Sequence, residues 1–253
     1  MCLRTIQYYV EKAGMKLSDD QTAQFQSYQD LLLEWNQKIN LTTITDPEEI
    51  ALKHFADSLS VAPFIHNAFK SEAMRFPDCS LIDVGTGAGF PGIPLKIVYP
   101  GISLTLMDSL NKRIAFLDAV IHALSLKDCK TVHSRAEDGA RNAAYREKFD
   151  IAIARAVAGM PVLCEFCLPY VKIGGIFIAM KSNVKEELEA AKYAISLLGG
   201  EIEACHEFLL PESDISRTIV IIRKKSKTPS GYPRKAGKPE KEPLLDKPAK
   251  SKF

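Results

Sequence analysis

The residues best placed to do chemistry stand in one run, Leu81-Ile82-Asp83-Val84-Gly85-Thr86-Gly87-Ala88-Gly89-Phe90-Pro91-Gly92. Gly85, Gly87 and Gly89 alternate with small residues, so the backbone can turn tightly and approach a ligand where a side chain would intrude. Asp108 ends the next apolar stretch, 102–107. A carboxylate there can accept hydrogen bonds from the two hydroxyls of a ribose, worth roughly 1.5–3 kcal/mol each. The pair of features predicts a nucleoside cofactor. A dinucleotide would use the same geometry, although the G-x-G-x-x-G spacing is met only by sliding to Gly87, Gly89 and Gly92. A second constellation lies upstream: His54, Asp57 and Ser58 fall at i, i+3 and i+4, sharing a helical face beside Phe55 and Leu59, after a polar turn at Asn40-Leu41-Thr42. Core packing and a site role are both open for it.

These residues need a scaffold that brings them together. An apolar strand ends at about Val84, the glycines turn the chain, and 93–99 suits a helix with proline only at its start. Beyond it the pattern alternates: strand 102–107, helix 110–124, strand 129–134, strand 149–154, helix 161–171, strand 176–181 and helix 184–198. Strands separated by helices predict an α/β domain with a parallel, doubly wound sheet. The last two strands, 202–210 and 217–223, are joined by only six residues, too few for a crossover, so they should pair antiparallel. Ligands bind beyond the carboxyl ends of such strands, where Gly85, Asp108, Ala136-Glu137 and Arg155 all fall.

Helices should dominate before the sheet. Residues 3–13 form one, ended by Gly14; Ser18 with Gln21 makes a capping box for a second, whose Phe25, Tyr28, Leu32, Trp35 and Ile39 recur at helical spacing. Asp46-Pro47-Glu48-Glu49 starts a third, running to about Ala62. Residues 1–75 are therefore expected as a helical extension on the sheet, 76–223 as the catalytic domain, and 224–253 as a disordered tail. From Arg223 onward 11 Lys or Arg face three acids, while the remainder holds 22 against 28. That basic stretch is rich in Pro, Gly, Ser and Thr, and reads equally as a solubilising appendage or a phosphate-binding arm.

Composition sets outer limits. The 253 residues suffice for one main core, and 46% hydrophobic with 25% charged residues is ordinary for a globular protein. No stretch approaches the roughly 20 apolar residues of a membrane span, and no signal-peptide core opens the chain, so a cytoplasmic location without a membrane partner is expected. The cysteines at 2, 79, 129, 164, 167 and 205 are scattered, which argues against a disulfide framework. Cys164-Glu165-Phe166-Cys167 is formally C-x-x-C, but nothing completes a metal set, and packing is the favoured reading; no metal is expected.

Several motifs together resemble one family. Gly85-Thr86-Gly87-Ala88-Gly89, with Asp83 two residues earlier, is similar to motif I of S-adenosylmethionine methyltransferases. Adding Asn40-Leu41-Thr42, His54-x-x-Asp57-Ser58, Phe90-Pro91-Gly92-Ile93-Pro94, Asp108-Ser109-Leu110-Asn111-Lys112-Arg113, Arg135-Ala136-Glu137, Ala154-Arg155-Ala156-Val157-Ala158 and Tyr232-Pro233-Arg234-Lys235-Ala236-Gly237, the chain resembles the bacterial 16S ribosomal RNA guanine-N7 methyltransferases over about residues 30–240. The resemblance implies a class I methyltransferase fold, Rossmann-like with a seven-stranded, mostly parallel sheet closed by an antiparallel hairpin. It implies S-adenosylmethionine bound by Gly85, Gly87, Gly89, Phe90, Asp108, Ala136, Glu137 and Arg155. Gly85 and Phe90 would line the methionine side, Ala136 and Glu137 would contact the adenine, and Arg155 would close the pocket. The implied partner is 16S ribosomal RNA or the small-subunit particle, with no obligate protein partner.

The residues agree with that chemistry. No Asn/Asp-Pro-Pro-Tyr run follows the fourth strand for an exocyclic amine, and no Pro-Cys stands there to attack a pyrimidine. Guanine N7 carries a free lone pair and needs no general base, so alignment would supply the rate. Asn40, His54, Asp57, Ser58, Arg155 and Lys181 are the candidates for positioning substrate, with Arg155 or Lys181 aimed at guanine O6 or phosphate because an arginine on N7 would block it. A nicotinamide oxidoreductase and a non-enzymatic RNA-binding protein with a vestigial pocket are the alternatives.

Overall fold

The computed structural model describes residues 3–12, 16–68 and 78–246; Cys2 and the expected stop at Gly14 lie outside them. Seven strands form one sheet: β1 Ser80–Val84, β2 Ser103–Asp108, β3 Cys129–His133, β4 Phe149–Arg155, β5 Val171–Lys181, β6 Gly200–Leu209 and β7 Ser216–Lys224. Their order is β3-β2-β1-β4-β5-β7-β6. β3, β2, β1, β4 and β5 run parallel, and β7 is antiparallel to both β5 and β6. The central strands β1 and β4 are buried along nearly their whole length because helices cover both faces, whereas edge strand β6 alternates half-buried and exposed positions.

One face is covered by the N-terminal helices and by Gly92–Val98 and Asn111–Ala123: Phe25, Tyr28, Leu32, Phe55, Ile93 and Phe116 pack there against Leu81, Leu104 and Ile151. The other face packs Met160, Leu163, Ile195 and Leu198 against Ile82, Ala152 and Phe177. The capping box at Ser18 forms, and Gln21 has a further use. Its Nε2 donates to the carbonyls of Ile97 (2.9 Å) and Val98 (3.2 Å), while Gln24 Nε2 donates to Leu124 (2.9 Å). Helix Asp19–Asn36 thereby satisfies carbonyls left open where two sheet-covering helices end.

Three expectations need correction. The third helix is not regular: a π-helical turn, Ala51–Ala56, separates Pro47–Ile50 from Asp57–Leu59, and a new helix, Ala62–Ala68, follows. A short helix, Ala136–Arg141, which sequence periodicity did not reveal, lies between β3 and β4. The third concerns the C-terminal stretch, which is not disordered over residues 225–246. Lys224 is fully buried, its Nζ donating to Leu168 O (2.7 Å) and to Thr228 Oγ1 and standing 3.5 Å from Glu147. Burial pushes that ammonium down to about 8. Arg234 pairs with Glu165, itself 0% exposed, through Nε and Nη2 at 2.9 and 2.6 Å. Composition suggested solvation; half-buried Glu147 and buried Glu165, both distant in sequence, supply counter-charges to Lys224 and Arg234 instead. Arg223, Lys224, Lys225, Arg234 and Lys238 all have carboxylate partners within the fold.

Candidate active site

The glycine turn follows β1 directly. Gly85, Gly87 and Gly89 have φ of +71°, +61° and +96°, values that L side chains rarely adopt. At Gly85 a Cβ would sit 2.9 Å from Val157 Cγ2, and at Gly89 it would sit 2.5 Å from Ile93 Cδ1; at Gly87 it would meet nothing within 4 Å. Gly87 is thus required for its conformation alone, with its surface left to a ligand. Asp83, fully buried, holds the turn from beneath: Oδ2 accepts from Thr86 Oγ1 (2.7 Å) and Gly92 N–H (2.8 Å). Burial pushes its carboxyl up to about 6.

Above the turn lies a cavity of about 450 Å³, lined by Gly85, Gly87, Phe90, Asp108, Ala136, Glu137 and Arg155 among others. Its size suits a nucleoside ligand. Asp108 accepts from Gly87 N–H (2.9 Å), Leu110 N–H (2.9 Å) and Arg113 Nη1 (3.3 Å). A carboxylate offers about four acceptor positions, so at least one is left, and the long contact to half-exposed Arg113 is the easiest to give up. Ala136 contributes backbone, its carbonyl accepting from Tyr170 OH at 2.6 Å. Glu137 is 4% exposed, and its Oε1 accepts from Gly237 N–H at 2.8 Å.

A second cavity, of about 430 Å³, adjoins the first and shares His54, Arg155 and Ala156 with it. Lys53, Asp57, Lys181, Ser182 and Arg217 complete its polar wall. Arg155, at the end of β4, is the partition. Its Nη1 lies 3.1 Å from Asp57 Oδ2 and 3.4 Å from each of Lys53 O, His54 O and Ser58 Oγ. Its guanidinium sits 5.0 Å from the centre of the Phe90 ring. Asp57 holds a second arginine, accepting from Arg217 Nε at 2.8 Å. Ala156, next along, has φ +52°, a strained value for alanine at the junction of the two cavities.

His54 stacks on Phe90 with centroids 4.6 Å apart. Arg155 Nη2 lies 3.5 Å from its Nδ1, and arginine can only donate, so Nδ1 is the acceptor. Nε2 therefore carries the proton and donates to Thr42 Oγ1 at 2.8 Å. Burial first, and the Arg155 charge second, push this imidazole down to about 4. It is neutral at physiological pH.

Residues 21–216 match the family model described as GidB, rRNA small subunit methyltransferase G. The chain belongs to that family. The ribosomal RNA small subunit methyltransferase G of Acetivibrio thermocellus is 55% identical over 231 residues, spanning 91% of this chain and 92% of that one. Its counterpart from Staphylococcus carnosus is 50% identical over 245 residues, spanning 95% and 99%. Among solved structures, a variant of MtNAS in complex with S-adenosylmethionine aligns with a TM-score of 0.53 and 15% identity, covering 81% of this chain and 76% of its own, a likeness in fold. The expected class I methyltransferase sheet, closed by an antiparallel hairpin, is the one observed.

The members of the sequence-derived set are not all alike within this methyltransferase fold. Gly85, Gly87, Phe90, Asp108, Ala136, Glu137 and Arg155 line the first cavity, while Gly89 packs beneath it against Tyr28 and Ile93. His54, Asp57 and Lys181 reach the second, where Lys181 Nζ is tied to Ala158 O (2.9 Å) and Glu187 (2.8 Å). Ser58 lines neither; its hydroxyl bonds back to His54 O. Asn40 is exposed and lines neither. The neighbouring turn is ordered by Asn36, whose Oδ1 accepts from Leu41 N–H (2.8 Å) and Thr42 N–H (3.0 Å). Lys53 and Arg217 were missed, since a lone cation on a helix or strand looks like any solvated charge. The C-x-x-C pair is packing: Cys164 and Cys167 are fully buried, and burial raises both thiols.

Proposed function

We propose that the protein transfers the methyl group of S-adenosylmethionine to N7 of a guanine in 16S ribosomal RNA, and that the first cavity holds the cofactor while the second receives the target nucleotide. The observation that carries this reading is the contact of two cavities of nearly equal size at His54, Arg155 and Ala156. Family membership supports the reaction class, and the spare acceptor capacity of Asp108 fits a ribose. No helix among the described residues is long and apolar enough to cross a membrane.

Bound in the first cavity, S-adenosylmethionine would supply an electrophilic methyl group. Guanine N7 would take that methyl with its own lone pair as the S–CH3 bond breaks and its electron pair stays on sulfur, leaving S-adenosylhomocysteine, so no proton would have to leave, and neutral His54, turned toward Arg155 and Thr42, suits a positioning role. Arg155 is held by the helical segment 53–58, with Nη1 on Asp57 Oδ2 at 3.1 Å beside three longer contacts and Nη2 facing His54 Nδ1, so the partition is set before substrate arrives. Such preorganisation is where rate would come from, because alignment can supply roughly 7–11 kcal/mol of a barrier. Lys53, Lys181 and Arg217 each pair with a carboxylate, but of Glu49, Glu187 and Asp57 only Asp57 lines the second cavity, so its wall keeps an excess of cations that suits a nucleotide phosphate. A nicotinamide oxidoreductase and a pocket without activity are unsupported by the family assignment. The test is to methylate RNA with the purified protein, digest it and identify the nucleoside by mass spectrometry. 7-Methylguanosine is expected; methyl on an exocyclic nitrogen or on C5 would overturn the proposal.

A further inference from the structure

The C-terminal segment reaches the rim of the first cavity, where a basic RNA arm would not be expected. Its course is fixed from its start. Arg146 donates to the carbonyls of Thr228 (2.9 Å) and Tyr232 (2.7 Å), and Arg141 Nε donates to Pro233 O (2.9 Å). Arg234 is then locked to buried Glu165 by side chain and by its own N–H, at 2.7 Å. Three residues further on, Gly237 at φ +79° turns its N–H onto Glu137 Oε1, and Glu240 lines the cavity. Pro239 and Leu244 are buried behind this turn.

We propose that residues 237–246 form one wall of the cofactor pocket, on its adenine side, and that Gly237 sets the orientation of the Glu137 carboxylate that the adenosine meets. The inference rests on the reading that the first cavity binds S-adenosylmethionine. Glu137 is nearly buried, and a carboxylate so placed needs its oxygens directed. One is directed by Gly237 N–H; adenosine offers an exocyclic amine as donor for the cavity side. The left-handed backbone at Gly237 is what aims the N–H, and no neighbouring atom lies within 4 Å of a Cβ placed there. Conformation and the N–H can therefore be tested apart from bulk.

In the full chain, Gly237→Pro removes the donor and forces φ negative, whereas Gly237→Asn keeps the donor and tolerates the left-handed region. Calorimetry with S-adenosylmethionine and with 5′-methylthioadenosine, which lacks the amino-acid portion, is the measurement. Gly237→Pro should raise both dissociation constants at least tenfold and by the same factor, while Gly237→Asn stays within threefold of wild type. A chain ending at residue 236 keeps the anchors through Arg234 and should match Gly237→Pro; a chain ending at residue 246 should bind like wild type. Binding by Gly237→Pro within twofold of wild type overturns the proposal. A loss seen with S-adenosylmethionine alone overturns it too, as does unfolding of both the proline variant and the chain ending at 236, which would make the segment a stability element. Failure of the wild type to bind either ligand would instead count against the reading of the cavity.

Discussion

Lowering the pH from 7 to 5 protonates a histidine in the unfolded chain, where it titrates near 6.5, but leaves His54 in the fold neutral, because its imidazole is pushed down to about 4. The folded value is depressed, so the group's contribution to stability is present above 6.5 and is lost as the pH falls toward 4. Linkage between those two values gives about 2 kcal/mol between pH 7 and 5. His54 is not fully enclosed, so solvent screening reduces this to about 1–2 kcal/mol. The causes lie in the site itself: burial first, with the Phe90 ring stacked on one face of the imidazole, and the guanidinium charge of Arg155 second. His54→Gln removes the titration and leaves an amide that can still donate to Thr42. Urea unfolding of both proteins at pH 7 and pH 5 isolates the effect, since the remaining histidines cancel in the difference. Wild type should lose about 1–2 kcal/mol more than the variant on acidification. A wild-type-minus-variant difference that stays constant from pH 7 to 5 would refute the reasoning, and with it the buried, neutral assignment of His54.

Asp57→Ala should destabilise the fold by about 2–3 kcal/mol in urea titration, at or below the floor of the range for breaking a fully buried ion pair, because Arg155 and Arg217 lose a shared partner yet keep side chains 14% and 21% exposed. Equal stability of variant and wild type would show that the two arginines do not depend on that carboxylate. Asp108→Ala should weaken S-adenosylmethionine binding by about 1.5–3 kcal/mol per lost ribose bond, read by calorimetry on a variant that melts cooperatively. Gly87→Val should also abolish binding at a folding cost of about 1–2 kcal/mol from its left-handed backbone, since a Cβ there meets no protein atom. Wild-type affinity in both folded variants would mean that the ligand sits elsewhere.

What could be read from the sequence was what local physics dictates. Gly85, Gly87 and Gly89 announced a left-handed turn, Asp46 and Ser18 announced helix starts, and six residues between the last strands announced a hairpin. The second cavity was hidden for a different reason. Asp57 and Arg217 are 160 residues apart, and only the antiparallel placement of β7 beside β5 brings them together. Ser58 and His54 shared a face on a regular helix, but the π turn at Ala51–Ala56 changes which side chains point outward. The C-terminal segment misled through composition. It is poor in large apolar residues, and it is fixed by ion pairs to Glu147 and Glu165, acids that carried no signal of their own.

The sheet and glycine turn form much of the crevice proposed for the cofactor; further lining comes from segments on either side of them. Helical residues 53–58, N-terminal to the sheet, supply every acceptor that pins Arg155. Without them the partition between the cavities would be a flexible arginine at the end of a strand. At the other end, Arg217 and Glu240 reach the second and first cavities respectively. In the proposed function, the helical segment 53–58, β7 and the C-terminal turn would therefore add to what the glycine turn and Asp108 supply. The helices before β1 are more than a cover for the sheet. Phe25 and Tyr28 pack against Phe55, Tyr28 also packs against Phe90, and Phe90 carries both His54 and Arg155. Core packing on that face thus sets the position of the groups that would meet the guanine.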